Sequence, residues 1–186
     1  MKREEKFIKY ENLLKEWSTK MNLVAPSTLT DIQTRHIQDS AQLAKYLPKD
    51  VKIIDLGSGA GFPGVVLAIL GWNVTCIESI GKKTNFLSAL KEELDLQNLT
   101  IVNDRIENFL SKTLVNTEDF VFTARAFAPL IKILDYTHKT KCRLFLLKGR
   151  EIQSEIDTAK TKYKFDYKLY ESETGDGYIT YIFNIK

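Results

Sequence analysis

The sequence predicts an α/β fold, a doubly wound and mostly parallel sheet preceded by helices and closed by an antiparallel hairpin. Three observations carry this. From Val51 to Lys160, short apolar runs rich in β-branched and aromatic residues alternate with helical stretches, the rhythm of a parallel sheet covered on both faces. Ahead of them the spacing of apolar residues is helical throughout. After Lys162 the alternation stops, and two strand-like runs remain, joined by a turn containing Gly175-Asp176-Gly177, which is a hairpin signal.

Near the N-terminus, Phe7, Tyr10, Leu14, Trp17 and Met21 recur at threes and fours, one face of a helix, and Pro26 ends that segment because it lacks an N–H. Thr30-Asp31-Ile32-Gln33 fits the S/T-x-x-E/Q capping box, and Ile32, Ile37, Ala41, Ala44 and Leu47 give the second helix an apolar stripe as far as Pro48. Neither stripe can be buried by its own helix, so both are expected to pack on the α/β region C-terminal to them. Strands are expected at Val51 to Leu56, Asn73 to Ile77, Leu99 to Val102, Phe120 to Thr123 and Arg143 to Leu147. Helices lie between or after them at Pro63 to Leu70, Lys82 to Leu94, Arg105 to Leu110, Pro129 to Tyr136 and Glu151 to Lys160. The hairpin strands are Tyr163 to Tyr170 and Tyr178 to Ile185. With 186 residues and no linker, repeat or low-complexity tract, one domain is expected, residues 1–48 forming a helical appendage to a core of residues 49–186.

Composition narrows the class. At 44% hydrophobic and 27% charged residues the chain can bury a sizeable core. No apolar run approaches the ~20 residues of a membrane helix, and the opening Met1 to Glu11 has no continuous apolar stretch of a secretory signal. Cys76 and Cys142 are far apart, with no C-x-x-C or histidine spacing, so neither a disulfide framework nor a metal site is expected and a cytoplasmic location fits. Net charge is +3, but His138 to Lys168 holds nine basic residues against four acidic. That excess hints at a polyanionic partner, and charge alone fits a solvated lysine-rich surface equally well.

The most informative stretch is Asp55-Leu56-Gly57-Ser58-Gly59-Ala60-Gly61-Phe62-Pro63-Gly64. An apolar strand runs into a glycine-rich turn, and Pro63 stands where a first helical turn tolerates its missing N–H. Glycines here let backbone pass close beneath a nucleotide-like cofactor at the strand's carboxyl end. Two patterns overlap: Gly59 to Gly64 satisfies the dinucleotide G-x-G-x-x-G, and Asp55 to Gly61 has the D-x-G-x-G-x-G form of methyltransferases. The letters alone leave both open. Asp55 favours the second, because a carboxylate beside the loop suits the ammonium of S-adenosyl-L-methionine and repels a pyrophosphate. Glu78, ending the next strand, can accept both ribose hydroxyls in either case.

These residues resemble a specific family, the bacterial small-subunit ribosomal RNA guanine-N7 methyltransferases, also called glucose-inhibited division protein B or methyltransferase G. The resemblance spans nearly the whole chain. It includes Trp17 with Met21-Asn22-Leu23, Arg35-His36-Ile37-Gln38-Asp39-Ser40, the loop Asp55 to Gly64, Glu78 to Lys83, Arg105-Ile106-Glu107, Thr123 to Ala128 and Leu147-Lys148-Gly149. This sequence departs from the family in a shorter helical lead-in, Thr123 for serine, Ala60 for proline and Glu78 for aspartate. The resemblance implies a Rossmann-like class I methyltransferase sheet with S-adenosyl-L-methionine as cofactor. It implies a target guanine in the decoding-region loop of 16S ribosomal RNA, free or in the small ribosomal subunit. It also assigns residues. Asp55, Gly57, Gly59, Gly61 and Phe62 fall in the cofactor loop, Glu78 binds ribose, and Ile106 with Glu107 meet the adenine. Arg125 stands where cofactor and target base meet, with Lys148 as a second catalytic candidate, and Arg35, His36, Arg105 and Lys148 face RNA.

Chemistry agrees with that assignment. Guanine N7 carries its lone pair in the neutral base, so methylation needs in-line positioning and no general base. No Asn/Asp-Pro-Pro-aromatic segment, expected for exocyclic amines, follows the fourth strand, and Cys76 and Cys142 read as small buried residues, not pyrimidine nucleophiles. Lys148, after the apolar Leu144 to Leu147, is expected to emerge at the sheet edge and position a phosphate. Phe127 is a candidate to stack on an extruded base, and His36 reads as a structural hydrogen-bonding residue. Two other classes are weighed. A non-catalytic nucleotide-binding RNA module is opposed by the intact loop and acids. An NAD-linked oxidoreductase leaves the terminal hairpin and the Arg105-Ile106-Glu107 segment unexplained.

Overall fold

The computed structural model describes residues 1–113 and 119–186. Its strands are β1 (Lys52–Leu56), β2 (Asn73–Glu78), β3 (Leu99–Asn103), β4 (Phe120–Arg125), β5 (Arg143–Lys148), β6 (Asp166–Glu171) and β7 (Tyr178–Phe183). They form one sheet in the order β3-β2-β1-β4-β5-β7-β6. The first five are parallel, and β7 is inserted antiparallel between β5 and β6. Strand order reverses between β1 and β4, and that switch point is where an open parallel sheet leaves a crevice for a ligand.

Alternation along the strands sorts two apolar layers. Ile53, Val74, Cys76, Val121 and Phe145 belong to one core cluster, with side chains from α1 (Arg3–Ser18), α3 (Gly64–Ile69) and α4 (Gly81–Glu93). Ile54, Leu56, Phe122, Leu144 and Leu146 face the other way, against α6 (Leu130–Thr137) and α7 (Ile152–Lys160), with Ile106 of α5 (Ile106–Lys112) closing that layer. Strands buried on both faces explain why the sequence shows apolar runs there and not a period of two. The strand and helix positions match the sequence expectation to within a few residues, and the antiparallel hairpin is present.

The N-terminal segment differs in detail from its prediction. Helix α1 ends at Ser18, so Met21 packs from a turn, and Pro26 opens a short 3-10 helix, Pro26–Thr28. The second helix is not uniform. It passes through a π-helical turn (Gln33–Gln38), a short α2 (Asp39–Ala41) and a 3-10 turn (Gln42–Lys45). Its first turn is capped by Asp31, whose Oδ1 accepts from the Thr34 N–H at 3.3 Å, and not by the expected Thr30. The wider π turn changes the phase of the stripe. His36, Ile37, Ser40 and Leu43 face inward, while Ala41 and Ala44 are only half-buried.

These helices are built into the same core as the sheet. Tyr10 of α1 is fully buried, and its hydroxyl donates to the carbonyl of Ala60 in the glycine loop at 2.6 Å. Its ring stacks on Phe62 at 5.2 Å between centroids, and the His36 ring also stacks on Phe62 at 5.0 Å. Helix α1 and the π turn therefore clamp the loop from behind. Tyr10→Phe keeps the stack but leaves the Ala60 carbonyl unpaired. It is expected to cost about 1–2 kcal/mol, read as a lower urea midpoint at unchanged m-value.

Candidate active site

Two cavities open at the carboxyl ends of the strands. The first, about 700 Å³, lies over the β1–α3 loop and is within the usual size of a small-molecule site. Gly57, Ser58, Gly59, Ala60 and Phe62 form its floor, Glu78 and Ile80 one side, and Arg105, Ile106 and Glu107 the rim at the start of α5. Glu78 is nearly buried. Its Oε2 accepts from the Gly59 N–H and its Oε1 from the Ile80 N–H, both at 2.9 Å. A carboxylate offers about four lone-pair directions, so two remain for vicinal hydroxyls while the backbone holds its plane. Apolar Ile80 and Ile106 line the cavity beside this acid, a mixture of surfaces that suits a nucleoside. The residues present thus fit S-adenosyl-L-methionine.

Two members of the loop are placed otherwise than expected. Asp55 is fully buried and is absent from the cavity wall. Its Oδ2 accepts from the Gly64 N–H at 3.2 Å and its Oδ1 from the Thr123 hydroxyl at 3.1 Å. It therefore braces the two ends of the loop and the neighbouring strand, and a direct contact with a ligand ammonium is corrected to this internal role. Gly61 also faces away from the cavity. At φ 96°, a Cβ there would lie 2.7 Å from the Tyr10 hydroxyl and 2.6 Å from Val65 Cγ2, so helix α1 requires the glycine. Gly57, at φ 64°, lines the cavity as expected, and a Cβ would run into the Phe127 ring.

The second cavity, about 750 Å³, lies beside the first, between the end of β4, the end of β5 and the β6–β7 turn. Arg125, Ala126 and Phe127 line both cavities. Ala126 adopts a left-handed φ of 49°, an uncommon state for alanine that turns the chain so that Phe127 returns over Gly57. Arg125 is mostly buried, and its own guanidinium charge is disfavoured there by desolvation. It pairs through Nε with Asp39 Oδ2 at 3.0 Å, and its terminal nitrogens donate to His36 Nδ1 at 2.9 Å and to the Arg35 carbonyl at 2.6 Å. Because arginine only donates, His36 Nδ1 must accept. Nε2 then carries the proton and donates to Thr28 Oγ1 at 2.8 Å, and that hydroxyl donates to the Ala25 carbonyl at 2.7 Å. Burial, then the charges of Arg125 and Arg35, pull the His36 pKa down to about 4, so the ring is neutral at physiological pH.

The remaining predicted residues separate. Arg35 is exposed on the second cavity, and Arg105 is exposed on the rim of the first. His36 lines the cofactor-side cavity behind Phe62, not an open RNA surface. Lys148 lines the second cavity but does not emerge at the edge. Its side chain is 9% exposed, paired with Glu155 at 2.6 Å and donating to the Ala128 carbonyl at 2.7 Å. The expectation of a free phosphate contact is corrected: Glu155, which also accepts from the Leu130 N–H at 2.6 Å, already offsets that charge beneath the 126–130 turn. Tyr10 and Thr28 are site-shaping residues that sequence reasoning did not single out. Tyr10 appeared only as one more member of an apolar helix face, and Thr28 carried no signal.

A seven-stranded order with β7 antiparallel between β5 and β6, a glycine loop and an acid at the end of β2 make a Rossmann-like sheet with a site that fits S-adenosylmethionine, the architecture of a methyltransferase that uses it. The family model for rRNA small subunit methyltransferase G (GidB) matches residues 3–175. The chain belongs to that family. It is 44% identical to the ribosomal RNA small subunit methyltransferase G of Orientia tsutsugamushi (strain Ikeda), over 97% of this chain and 89% of that protein. With its Rickettsia prowazekii counterpart it shares 38% identity over 97% of this chain and 94% of the relative. Among solved structures, a SAM dependent methyltransferase from Aquifex aeolicus superposes with a TM-score of 0.61 at 14% identity, covering 92% of this chain and 97% of that one. An rRNA methylase from Streptococcus thermophilus gives 0.57 at 15%, covering 80% and 94%. Neither the oxidoreductase nor the non-catalytic module is favoured by this membership. Among the described residues no group of three or more His, Cys, Asp or Glu side chains is arranged to hold a metal, and no helix is long and apolar enough to cross a membrane.

Two consequences can be measured. Burial raises the Asp55 pKa to about 6 from an ordinary 3.8, with hydrogen bonds from Ser58, Thr123 and the Gly64 N–H pulling against it. The folded state thus holds this proton more tightly than the unfolded chain. The stability it contributes is full below pH 3.8 and is lost as pH rises through about 6. Asp55→Asn cannot titrate, so thermal melts from pH 4 to 7 are expected to show the wild type losing stability relative to the variant. Parallel profiles would contradict a buried, ionising Asp55. Lys148→Ala leaves Glu155 without its cation and is expected to destabilise by about 2–4 kcal/mol, whereas a surface phosphate contact would leave the melting temperature unchanged.

Proposed function

We propose that this chain transfers a methyl group to N7 of a guanine in the decoding-region loop of 16S ribosomal RNA, in the cytoplasm, on the naked RNA or the small ribosomal subunit. The observation that carries this reading is the junction at Arg125, where the cavity over the glycine loop and a second, polar cavity share one wall. S-adenosyl-L-methionine, when bound, supplies an electrophilic sulfonium methyl. The chain's part is to bind, orient and exclude. Glu78 takes the ribose, Ile80 and Ile106 flank the base, and the second cavity receives the target nucleotide.

The proton acceptors nearest the junction are already engaged by cations, which suits a nucleophile needing no deprotonation. His36 is neutral, but its acceptor nitrogen is taken by Arg125, so it is not available as a general base. Asp39 carries Arg125 on one oxygen and hydroxyl and amide donors on the other. Arg125 has five N–H groups and uses three of them on this segment, leaving donors for guanine O6 or a neighbouring phosphate. A neutral guanine held by O6 presents its adjacent N7 lone pair, and rate then follows from in-line alignment. In this reading Phe127, which lies over Gly57 and lines both cavities, stacks on a base drawn out of the RNA.

The test is tritium transfer from labelled S-adenosyl-L-methionine to small subunits, and to naked 16S RNA, from cells lacking the endogenous enzyme, with mass mapping of the product. Label recovered as 7-methylguanosine at one site in the decoding-region loop is expected. Label in another nucleoside, or none despite cofactor binding, would overturn the reading.

A further inference from the structure

Arg125 stands at the end of β4, yet its three anchors come from the N-terminal segment and lie within residues 35–39. Each anchor sits on a different guanidinium nitrogen, and three fixed points set the plane of the group. Asp39 provides the charged one, with both side chains only about one-fifth exposed (20% for Arg125 and 18% for Asp39). Its other oxygen faces the opposite way. Oδ1 accepts from Thr174 Oγ1 at 2.8 Å, from Gln42 Nε2 at 2.8 Å and, more weakly, from Ser172 Oγ at 3.4 Å. Ser172 and Thr174 lie on the turn of the β6–β7 hairpin, in the wall of the second cavity. Gln42 ties the same turn from the N-terminal side, accepting from the Glu173 N–H at 3.0 Å and donating to Ser172 Oγ at 3.0 Å.

We propose that Asp39 is a positioning residue that joins the hairpin turn to Arg125, so that the turn of the substrate-side cavity sets the guanidinium where cofactor and target meet. This rests on the reading that the second cavity takes the target nucleotide. Only a carboxylate serves both sides, because every neighbour of Asp39 in this network approaches it as a donor. An amide of the same shape would turn its NH₂ toward either the Arg125 Nε–H or the Thr174 and Gln42 donors, and one link would be lost. A glutamate keeps the charge and acceptors one methylene further out.

The experiment combines Asp39→Asn, Asp39→Glu, Thr174→Val and the Asn/Val double variant in the full chain. Single-turnover methyl transfer is followed at saturating small subunits and cofactor, and S-adenosylhomocysteine affinity by calorimetry. The Arg125 Nε–H resonance, assigned by its loss in Arg125→Lys, is followed by NMR. Asp39→Asn is expected to slow transfer at least tenfold while affinity for S-adenosylhomocysteine stays within about threefold, with Asp39→Glu recovering part of the rate. Thr174→Val is expected to slow transfer severalfold alone and to add nothing in the Asp39→Asn background, the mark of a shared network. The Nε–H resonance should shift in Thr174→Val and lose its exchange protection in Asp39→Asn. Additive rate losses, or a resonance indifferent to both variants, would overturn the proposal. So would a fall in rate and affinity in equal proportion. If wild type transfers no methyl to subunits but the resonance responds as stated, the substrate assignment fails and the positioning role stands.

Discussion

A partly buried guanidinium must find acceptors, and for Arg125 those acceptors lie in a stretch of five residues, 35–39. Much of the site's arrangement follows from meeting that demand. The π turn brings the Arg35 carbonyl, the His36 ring and the Asp39 carboxylate to one side of the helix. His36 must then present a bare Nδ1, which fixes its tautomer and sends its proton to Thr28. The ring's face is left to stack on Phe62, which binds the demand of the arginine to the conformation of the glycine loop. A helical lead-in that could be mistaken for decoration is in this way part of the wall between two cavities.

The loop itself is held from beneath as much as it is shaped for a ligand above. Tyr10 takes the Ala60 carbonyl and one face of Phe62, while Asp55 takes the Gly64 N–H and the Thr123 hydroxyl. Glu78 takes the Gly59 and Ile80 N–H groups. These bonds satisfy, from within the protein, backbone groups that a tight turn leaves without partners. Main-chain donors thus hold the Glu78 carboxylate in one orientation on the cavity wall. Such preparation lowers the ordering cost of binding.

Electrostatics explain why the second cavity is not simply a basic surface. Arg125 faces Asp39, Lys148 faces Glu155 and Arg150 faces Asp176. Basic and acidic groups are interleaved on its wall, which offers both donors and acceptors to a nucleobase edge and places little unpaired charge beneath it. Cation-by-cation reading of the sequence sees the lysine that ends β5 but not the glutamate on α7 that neutralises it.

What the sequence by itself determined is the order of elements, the hairpin, the loop and its acid. These come from local rules: apolar runs of strand length, proline and glycine at helix starts and turns, and a carboxylate one strand further on. Motif spacing also carried the family. What only the tertiary structure decided is which way each side chain faces across elements distant in the chain. Asp55 and Gly61 belong to the loop motif, yet buried strands and helix α1 claim them from below. Lys148 follows an apolar strand, yet a carboxylate seven residues later draws it inward. Asp39 is one polar residue of a helix until β4 and the hairpin bring Arg125 and Thr174 to its two oxygens. Those contacts span 86 and 135 positions, and no local pattern specifies a pairing at such a distance. Burial of the sheet and the need to satisfy each enclosed charge do.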